Sequence, residues 1–414
     1  MLGIIILVQG GVPMDKKWII VLAAVGIHIC IGAVYAWSVF TRPIMQYMGV
    51  SLKDVQFAFS IAILFLGFSA SFLGKYVEKH GSKKAGLAAT FFYVTGMFGT
   101  GLAIYLKSLP LLYLFYGAIG GIGLGIGYIT PVSTLVKWFP KNRGFATGCA
   151  IMGFGFAAMI AGPLIQTLMG YLPLYYVPVV MGAIYLVIMT ISALQFKLPQ
   201  FVEHHAASRI LSKGYTAKRA LRRWQFYALW LMLFINIFCG IAIISIASPM
   251  AQEMIGMNSS TAATMVGFIG LFNGLGRILW SSFSDYVGRP NTYIIFFLLQ
   301  ILGFYLMSDF DVHLFTSILY LVMTCYGGGF AAIPAYISDV FGMRELSVIH
   351  GHILTAWALA GLFAPLFIAW LREVTHSYTQ VLYVFVILYL IALAVAVYMR
   401  YNYKLKLDNS NVKG

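Results

Sequence analysis

Twelve apolar runs, each near the length that crosses a lipid bilayer as a helix, dominate this sequence and leave little room for any other fold. They cover residues 18–41, 54–74, 84–106, 109–136, 144–168, 172–196, 224–248, 261–283, 291–308, 313–338, 347–370 and 379–402. A helix rises about 1.5 Å per residue, so about 20 apolar residues span a hydrocarbon core roughly 30 Å thick. Only 9% of the 414 residues are charged, 61% are hydrophobic, and the mean hydropathy is +0.88. Soluble domains carry about 25% charged residues. A chain this poor in charge would expose aggregating apolar surface in water, so it is expected to be an all-α, polytopic membrane protein.

The charges test the count of spans. The chain carries 27 Lys and Arg against 12 Asp and Glu, a formal +15. These basic residues sit in short loops between apolar runs, where they orient a membrane protein rather than bind nucleic acid. With the N-terminus in the cytoplasm, 22 of the 27 fall on that side. Arg42, Lys53, Lys107 and Arg372 fall on the other, and Arg277 lies inside a span. A miscounted helix would scramble this asymmetry. The expectation is therefore a multi-pass protein of the plasma (inner) membrane with both termini cytoplasmic.

The longest polar stretch, 197–223, holds seven basic residues and Glu203, and divides the spans into two sets of six. The expected organisation is an N-terminal cytoplasmic segment (1–17), a first six-helix bundle (18–196), a cytoplasmic linker (197–223), a second bundle (224–402) and a cytoplasmic tail (403–414). The His204-His205 pair in the linker has no third ligand nearby and reads as solvated loop; no metal and no cofactor are expected. Cys30, Cys149, Cys239 and Cys325 lie inside apolar runs without ligand-like spacing and read as packed, reduced thiols. Residues 1–13 lack the basic start of a secretory signal, and Met14 opens Met-Asp-Lys-Lys-Trp, so translation begins at either Met1 or Met14.

An internal repeat supports the division into halves. Gly74-Lys-Tyr-Val-Glu78-Lys-His-Gly81-Ser-Lys83-Lys84 follows span two, and Ser281-Ser-Phe-Ser-Asp285-Tyr-Val-Gly288-Arg289 follows span eight. Asp285 and Gly288 each trail Glu78 and Gly81 by 207 residues. Two halves related by a parallel repeat is an architecture of secondary transporters. Read alone, each acid caps a helix end and the lysines obey the charge rule. Together the two loops resemble the cytoplasmic motif of the major facilitator superfamily, which implies a latch made by Glu78, Gly81, Lys83 and Lys84 in one half and Asp285, Gly288 and Arg289 in the other. Glu at 78 departs from the more usual Asp. Val34-Tyr35-Ala36-Trp37-Ser38-Val39-Phe40, 137–144 (Lys-Trp-Phe-Pro-Lys-Asn-Arg-Gly), Asn273-Gly-Leu-Gly276-Arg277 and Ser338-Asp339-Val340-Phe341-Gly342 further resemble the oxalate/formate antiporter family and the bacterial lactate/monocarboxylate transporters.

Arg277 is the residue that carries chemistry. A buried Arg costs about 2.5–3.5 kcal/mol on insertion scales, and span eight holds no acid at its depth. An uncompensated cation facing a cavity is an anion site; the alternatives are a pair with Asp285 two turns on, or snorkelling to the interface. Asn273, four residues earlier, shares its helix face. In animal monocarboxylate transporters an Asp typically stands there, so Asn removes an obvious proton carrier. The antiporter resemblance implies that Trp357 takes the place of a second cation, a lysine, that serves a dicarboxylate. It also implies cavity roles for Tyr35, Gln56, Tyr128, Phe154, Tyr326 and Phe330, each of which equally fits helix packing. His28 is the proton-coupling candidate, against a plain backbone hydrogen bond, and His350 and His352 are expected toward the cytoplasmic end of span eleven. Gly117, Gly121 and Gly125, with Gly123 and Gly127 between, form a groove for close helix approach between rocking halves; no Lys-Ser/Thr follows to make a phosphate loop.

The function expected is secondary active transport of small monocarboxylates such as lactate or pyruvate, coupled to protons, by a monomer rocking around Arg277. Its partners are a small organic monoanion, protons and the lipid bilayer. Oxalate/formate exchange, or other organic-anion antiport, is the alternative. An enzyme would need a nucleophile, paired acids or metal ligands within the bilayer, and the spans offer none.

Overall fold

The computed structural model describes residues 14–197, 199, 214–307 and 312–411. Residues 1–13 and the His204-His205 pair lie outside the described residues. Span one is Met14–Gly32, carried through a 3-10 turn at Ala33–Ala36 into Trp37–Met48. Spans two and three form one element, Leu52–Tyr105, that leaves helical geometry only at Gly81. Span four runs through Leu109–Leu112, a π-helical stretch Tyr113–Ile119 and Gly120–Trp138. Spans five and six are Arg143–Tyr171 and Tyr176–Gln195. In the second half, spans seven to ten are Trp224–Ile255, Ser259–Val287, Arg289–Leu306 and Val312–Phe341. Span eleven is Leu346–Ile353 and Thr355–Thr375, and span twelve is Tyr378–Asn411.

Nine described helices are individually long and apolar enough to cross a membrane, and one of these, Leu52–Tyr105, holds two spans. Span eight is diluted by Asn273, Arg277 and serines, and the shorter span nine opens on Arg289-Pro290-Asn291. With them the twelve-helix architecture is complete. The loop expected between spans two and three shrinks to a single residue. Gly81 takes φ 80°, and Gly288 takes φ 86° at the matching junction of spans eight and nine. Only glycine adopts this region at no steric cost, so one residue reverses the chain at each place. The repeat extends to helix bends: Pro131 and Pro163 in spans four and five have counterparts in Pro334 and Pro365 in spans ten and eleven.

The glycine stripe of span four does a different job from the one expected. A Cβ at Gly117 would meet Ile61, at Gly121 Phe65 and the Ala62 carbonyl, and at Gly125 Ser69 and the Leu66 carbonyl, all on span two. Gly123 lies against the Tyr93 backbone on span three, and Gly127 against Ile31 and Ala89. These contacts lie within one bundle, so the stripe binds spans two, three and four into a rigid body rather than serving the seam between halves. The seam uses other small residues. Gly144, Gly148 and Gly155 of span five approach Ser281, Ile278 and Gly274 of span eight, and Gly74 and Gly351 do the same for spans two and eleven. Toward the far end of span eight the seam opens: Gly267 and Gly270 share the face of Gly274, yet a Cβ on either would meet nothing within 4 Å. The four cysteines are buried and free.

Gly121→Val forces a branched side chain against the Ala62 carbonyl, which a Cβ at this position would meet at 2.7 Å. Overpacking of this kind typically costs about 1–3 kcal/mol. The melting temperature of the detergent-solubilised protein is expected to fall by several degrees, and an unchanged Tm would refute the packing role.

Candidate substrate site and latch

Span eight brings Arg277 to the seam at mid-depth, where its side chain is 1% exposed. Its Nε donates to Asn273 Oδ1 at 3.3 Å, one turn back on the same helix, and its Nη1 to the Ile151 carbonyl of span five at 3.3 Å. The guanidinium carbon stands 5.2 Å from the Phe330 ring centroid and 5.8 Å from that of Phe154, within cation–π range. Among the described residues Arg277 makes no ion pair. Asp285, the acid that might have neutralised it, is bonded to Arg289 and to span five instead. Burial rules out snorkelling. The result is a desolvated cation whose partners, Asn273, the Ile151 carbonyl and the Tyr35 hydroxyl, are all neutral.

Aromatic side chains from both bundles close around it. Trp357 on span eleven packs edge-on against Phe330 of span ten at 4.8 Å, Tyr128 of span four at 5.4 Å and Phe154 of span five at 5.5 Å. Tyr35 stands 5.1 Å from Phe154, and Tyr128 contacts Phe330 at 5.6 Å. The 3-10 turn at Ala33–Ala36 presents Tyr35 here. Tyr326, one turn before Phe330, is buried and interacts with Tyr35 and Arg277. The Tyr35 hydroxyl lies among Tyr326, Arg277 and Trp357, and the Tyr128 hydroxyl is buried without a partner among the described residues. Behind Tyr326, Asn236 of span seven donates to its carbonyl at 2.9 Å and accepts from Gln300 of span nine at 3.4 Å. This buried amide pair, which the sequence reading passed over, fixes the register of span ten.

Gln56 is not brought to this cluster. It is exposed, donates to Thr41 Oγ1 at 3.3 Å, and shares an open depression with Ser38, Arg42 and Gln166 at the end of the molecule away from the Gly81 and Gly288 turns. His28 does reach it, 5.4 Å from the Tyr128 ring and 6.4 Å from Phe154, with its Nδ1 3.0 Å from the Ala24 carbonyl. His350 also packs on Tyr128, at 5.9 Å, deeper than its place near the end of span eleven suggested. His352 Nδ1 meets Ser71 Oγ of the opposite bundle at 2.5 Å.

At the Gly81–Gly288 end, two acids each cap a helix of the opposing bundle. Asp285 accepts from the backbone N–H groups of Gly144 and Phe145, at 2.9 and 2.8 Å, in the first turn of span five. Glu78 Oε1 accepts from the Ser347 N–H at 3.1 Å and its hydroxyl at 2.7 Å, in the first turn of span eleven. A carboxylate at a helix N-terminus gains both the hydrogen bonds and the helix dipole. Arg289 pairs with Asp285 and also reaches Asp339, which Arg143 meets across the seam at 3.0 Å. Lys83 and Lys84 take no part. Both are exposed and make no ion pair among the described residues; Lys137, at 2.8 Å, is the lysine that neutralises Glu78. With this end tied and the other open, the molecule holds one access state of a two-bundle device.

Breaking Asp285 tests the tie. Asp285→Asn removes a buried charge paired with Arg289 and weakens two bonds to span five, a change of about 3–5 kcal/mol for pairs of this kind. A cysteine placed at the seam by Ser281→Cys is expected to react slowly with a membrane-permeant maleimide, and faster once Asp285→Asn is added. Equal labelling would show that Asp285 does not hold the seam shut.

Comparison with known proteins agrees with this architecture. The chain is 27% identical over 359 residues to the oxalate:formate antiporter of Oxalobacter formigenes, covering 84% of each. It is 22% identical over 450 residues to apicoplast pyruvate carrier 1 of Toxoplasma gondii, covering 82% of this chain and 81% of that one. The crystal structure of the transporter FucP in the outward conformation superposes with a TM-score of 0.71 at 15% identity, covering 92% of this chain and 99% of that one. The model of the Major Facilitator Superfamily matches residues 21–307 and again 229–414, two overlapping matches that take in both halves. The chain belongs to the Major Facilitator Superfamily and is a membrane transporter, not an enzyme.

Proposed function

We propose that this transporter carries small monocarboxylates, 2-hydroxy and 2-keto acids such as lactate and pyruvate, together with a proton, by alternating access. The observation that carries this reading is Arg277, a buried cation with no counter-charge among the described residues, in a cage where Trp357 supplies bulk rather than a second cation. A planar guanidinium offers a carboxylate two parallel N–H donors. A second carboxylate on the same ligand would enter the aromatic wall unpaired, and desolvating an unpaired charge costs several kcal/mol. The Tyr128 hydroxyl, buried without a partner among the described residues, suits a ligand with one further polar oxygen. Such an orphan costs about 1–3 kcal/mol until it is met.

In this reading Asn273, Tyr35, Tyr128, Phe154, Tyr326, Phe330 and Trp357 contact or enclose the substrate, and His28 takes the proton. Glu78, Asp285 and Arg289, with the glycine turns at 81 and 288, form the latch. The latch end faces the cytoplasm, both termini lie there, and the protein works as a monomer in the plasma membrane. The state described is then outward-facing. A relative named as a pyruvate carrier supports the monocarboxylate class. The relative named as an oxalate:formate antiporter favours a second reading, exchange of organic anions, and the two differ in whether two carboxylates can be neutralised.

Uptake of labelled lactate, formate and oxalate into proteoliposomes, with and without an imposed pH gradient, separates them. Lactate uptake driven by an inward proton gradient is expected, with oxalate a poor competitor. Tight competition by oxalate would restore the exchange reading. Arg277→Ala, and also Arg277→Lys, which loses the planar fork, are expected to abolish uptake while the protein is still made. Wild-type uptake by Arg277→Ala would overturn the anion site.

Trp357→Lys adds the missing ammonium. Oxalate affinity is expected to rise relative to lactate affinity in competition binding, since the new charge is satisfied only by a dianion. An unchanged ratio in a folded variant would mean that position 357 does not face the substrate.

A further inference from the structure

Two buried imidazoles flank the ring of Tyr128 from opposite bundles, His28 on span one at 5.4 Å and His350 on span eleven at 5.9 Å. Both are 0% exposed. His28 Nδ1 faces the Ala24 carbonyl at 3.0 Å, and the ring also meets the backbone of Tyr128, so His28 is held by acceptors that a protonated imidazole satisfies. Both nitrogens of His350 have no hydrogen-bond partner among the described residues. A buried imidazole unmet at both nitrogens, beside a second imidazole set among acceptors, is more than packing explains, because buried polar atoms are almost always paired. The pair calls for a ligand that occupies the place during part of the cycle.

The charges around them say which ligand, and when. Facing His28 are Tyr128 on span four, Arg277 on span eight and His350 on span eleven, with the apolar Phe154 on span five; facing His350 are Tyr128 and His28. No carboxylate faces either imidazole among the described residues. Glu78 is held by Lys137 and Ser347, and His352 lies with Ser71 and Lys75. A proton on this pair therefore sits near Arg277 with nothing to balance it. A carboxylate on Arg277 supplies the balance.

We propose that His28 and His350 together form a proton-loading site that fills only when a carboxylate occupies Arg277. This rests on the monocarboxylate reading and adds His350 and the order of loading to it. The proton comes from solvent on the open face and bonds to an unpartnered imidazole nitrogen, so anion plus proton enter as a neutral pair. Linkage makes the effect mutual: the bound proton strengthens carboxylate binding by the same factor. Because the two histidines belong to different bundles, the motion that opens the latch end pulls the site apart and lets proton and anion leave on the same side.

The test is lactate and pyruvate binding to the purified full-length protein between about pH 5.5 and 8, the range in which imidazoles titrate. Proton uptake is followed in weakly buffered solution with an indicator dye. Close to one proton per anion is expected, with affinity falling toward tenfold per pH unit at the upper end. His28→Gln and His350→Gln are each expected to flatten that slope, and the double variant to abolish proton uptake. Binding without proton uptake in the wild type, or wild-type uptake in folded double variant, overturns the inference and leaves the substrate reading standing. Failure of both anions to bind overturns the substrate reading and the inference with it. If the variants do not fold, wild-type protein with isotope-labelled histidine decides: lactate must shift imidazole resonances to the protonated form, and no shift overturns the proposal.

Discussion

An arginine without a counter-ion among the described residues, buried at the seam of two helix bundles, is the constraint to which the rest of this structure answers. An isolated guanidinium in the bilayer costs at least about 2.5–3.5 kcal/mol, and the protein lowers this without cancelling it. Asn273 and the Ile151 carbonyl take two of its donors, and the faces of Phe154 and Phe330 add quadrupole attraction. None of these partners carries charge, so the cation keeps its field in a low-dielectric surrounding. Reaching Ile151 across the seam requires spans five and eight to nearly touch, which Gly148, Gly155 and Gly274 permit. The small residues at the seam and the charge at the site are one design.

The latch follows from the same division into halves. Two carboxylates each hold the first turn of a helix in the other bundle, Asp285 on span five and Glu78 on span eleven. Hydrogen bonds to charged groups contribute about 1.5–3 kcal/mol each, and opening this end gives up several together. Spans five and eleven also carry Phe154 and Trp357, so the helices that the latch holds are those that wall the site. In the function proposed, a ligand that draws Phe154 and Trp357 together on the open side would act on the same two helices that the acids hold at the other end, so that movement at either end would be felt at both.

How much of this is legible in sequence depends on the range over which each feature is decided. The twelve spans and Arg277 are readable because hydropathy and an isolated charge are local. The acid-glycine repeat is readable because a turn is local too, although nothing in residues 74–84 tells that Gly81 alone suffices to turn the chain. The partners of the latch are not readable: Glu78 meets Ser347, and Asp285 meets Gly144, across the seam and far apart in the chain. Lys83 and Lys84 drew attention by adjacency, whereas Lys137 is brought in by the end of span four. Aromatics repeat the problem, since a phenylalanine in a cage and one in a core have the same neighbours in sequence. Resemblance points to Tyr128, Phe154, Phe330 and Trp357, which the structure brings together, and equally to Gln56, which lies outside the cluster. The glycine stripe was read correctly as packing and wrongly as seam, because a groove does not name the helix that fills it.

Selectivity in such a site rests as much on what is missing as on what is present. An aromatic wall contributes no countercharge, but it excludes water, and so raises the weight of every unpaired charge brought in. In the function proposed, with one fixed cation, the number of negative charges on the cargo would be the quantity that the site measures. A single carboxylate would neutralise Arg277; a second would stand against Trp357 with no partner, and an uncharged molecule would leave Arg277 as costly as before. Such a cage would select on charge number before it selects on shape. Shape would then be judged by the polar atoms on its wall, the Tyr128 hydroxyl, which is buried without a partner among the described residues, and the Tyr35 hydroxyl beside Arg277, which would reward an oxygen close to the carboxylate.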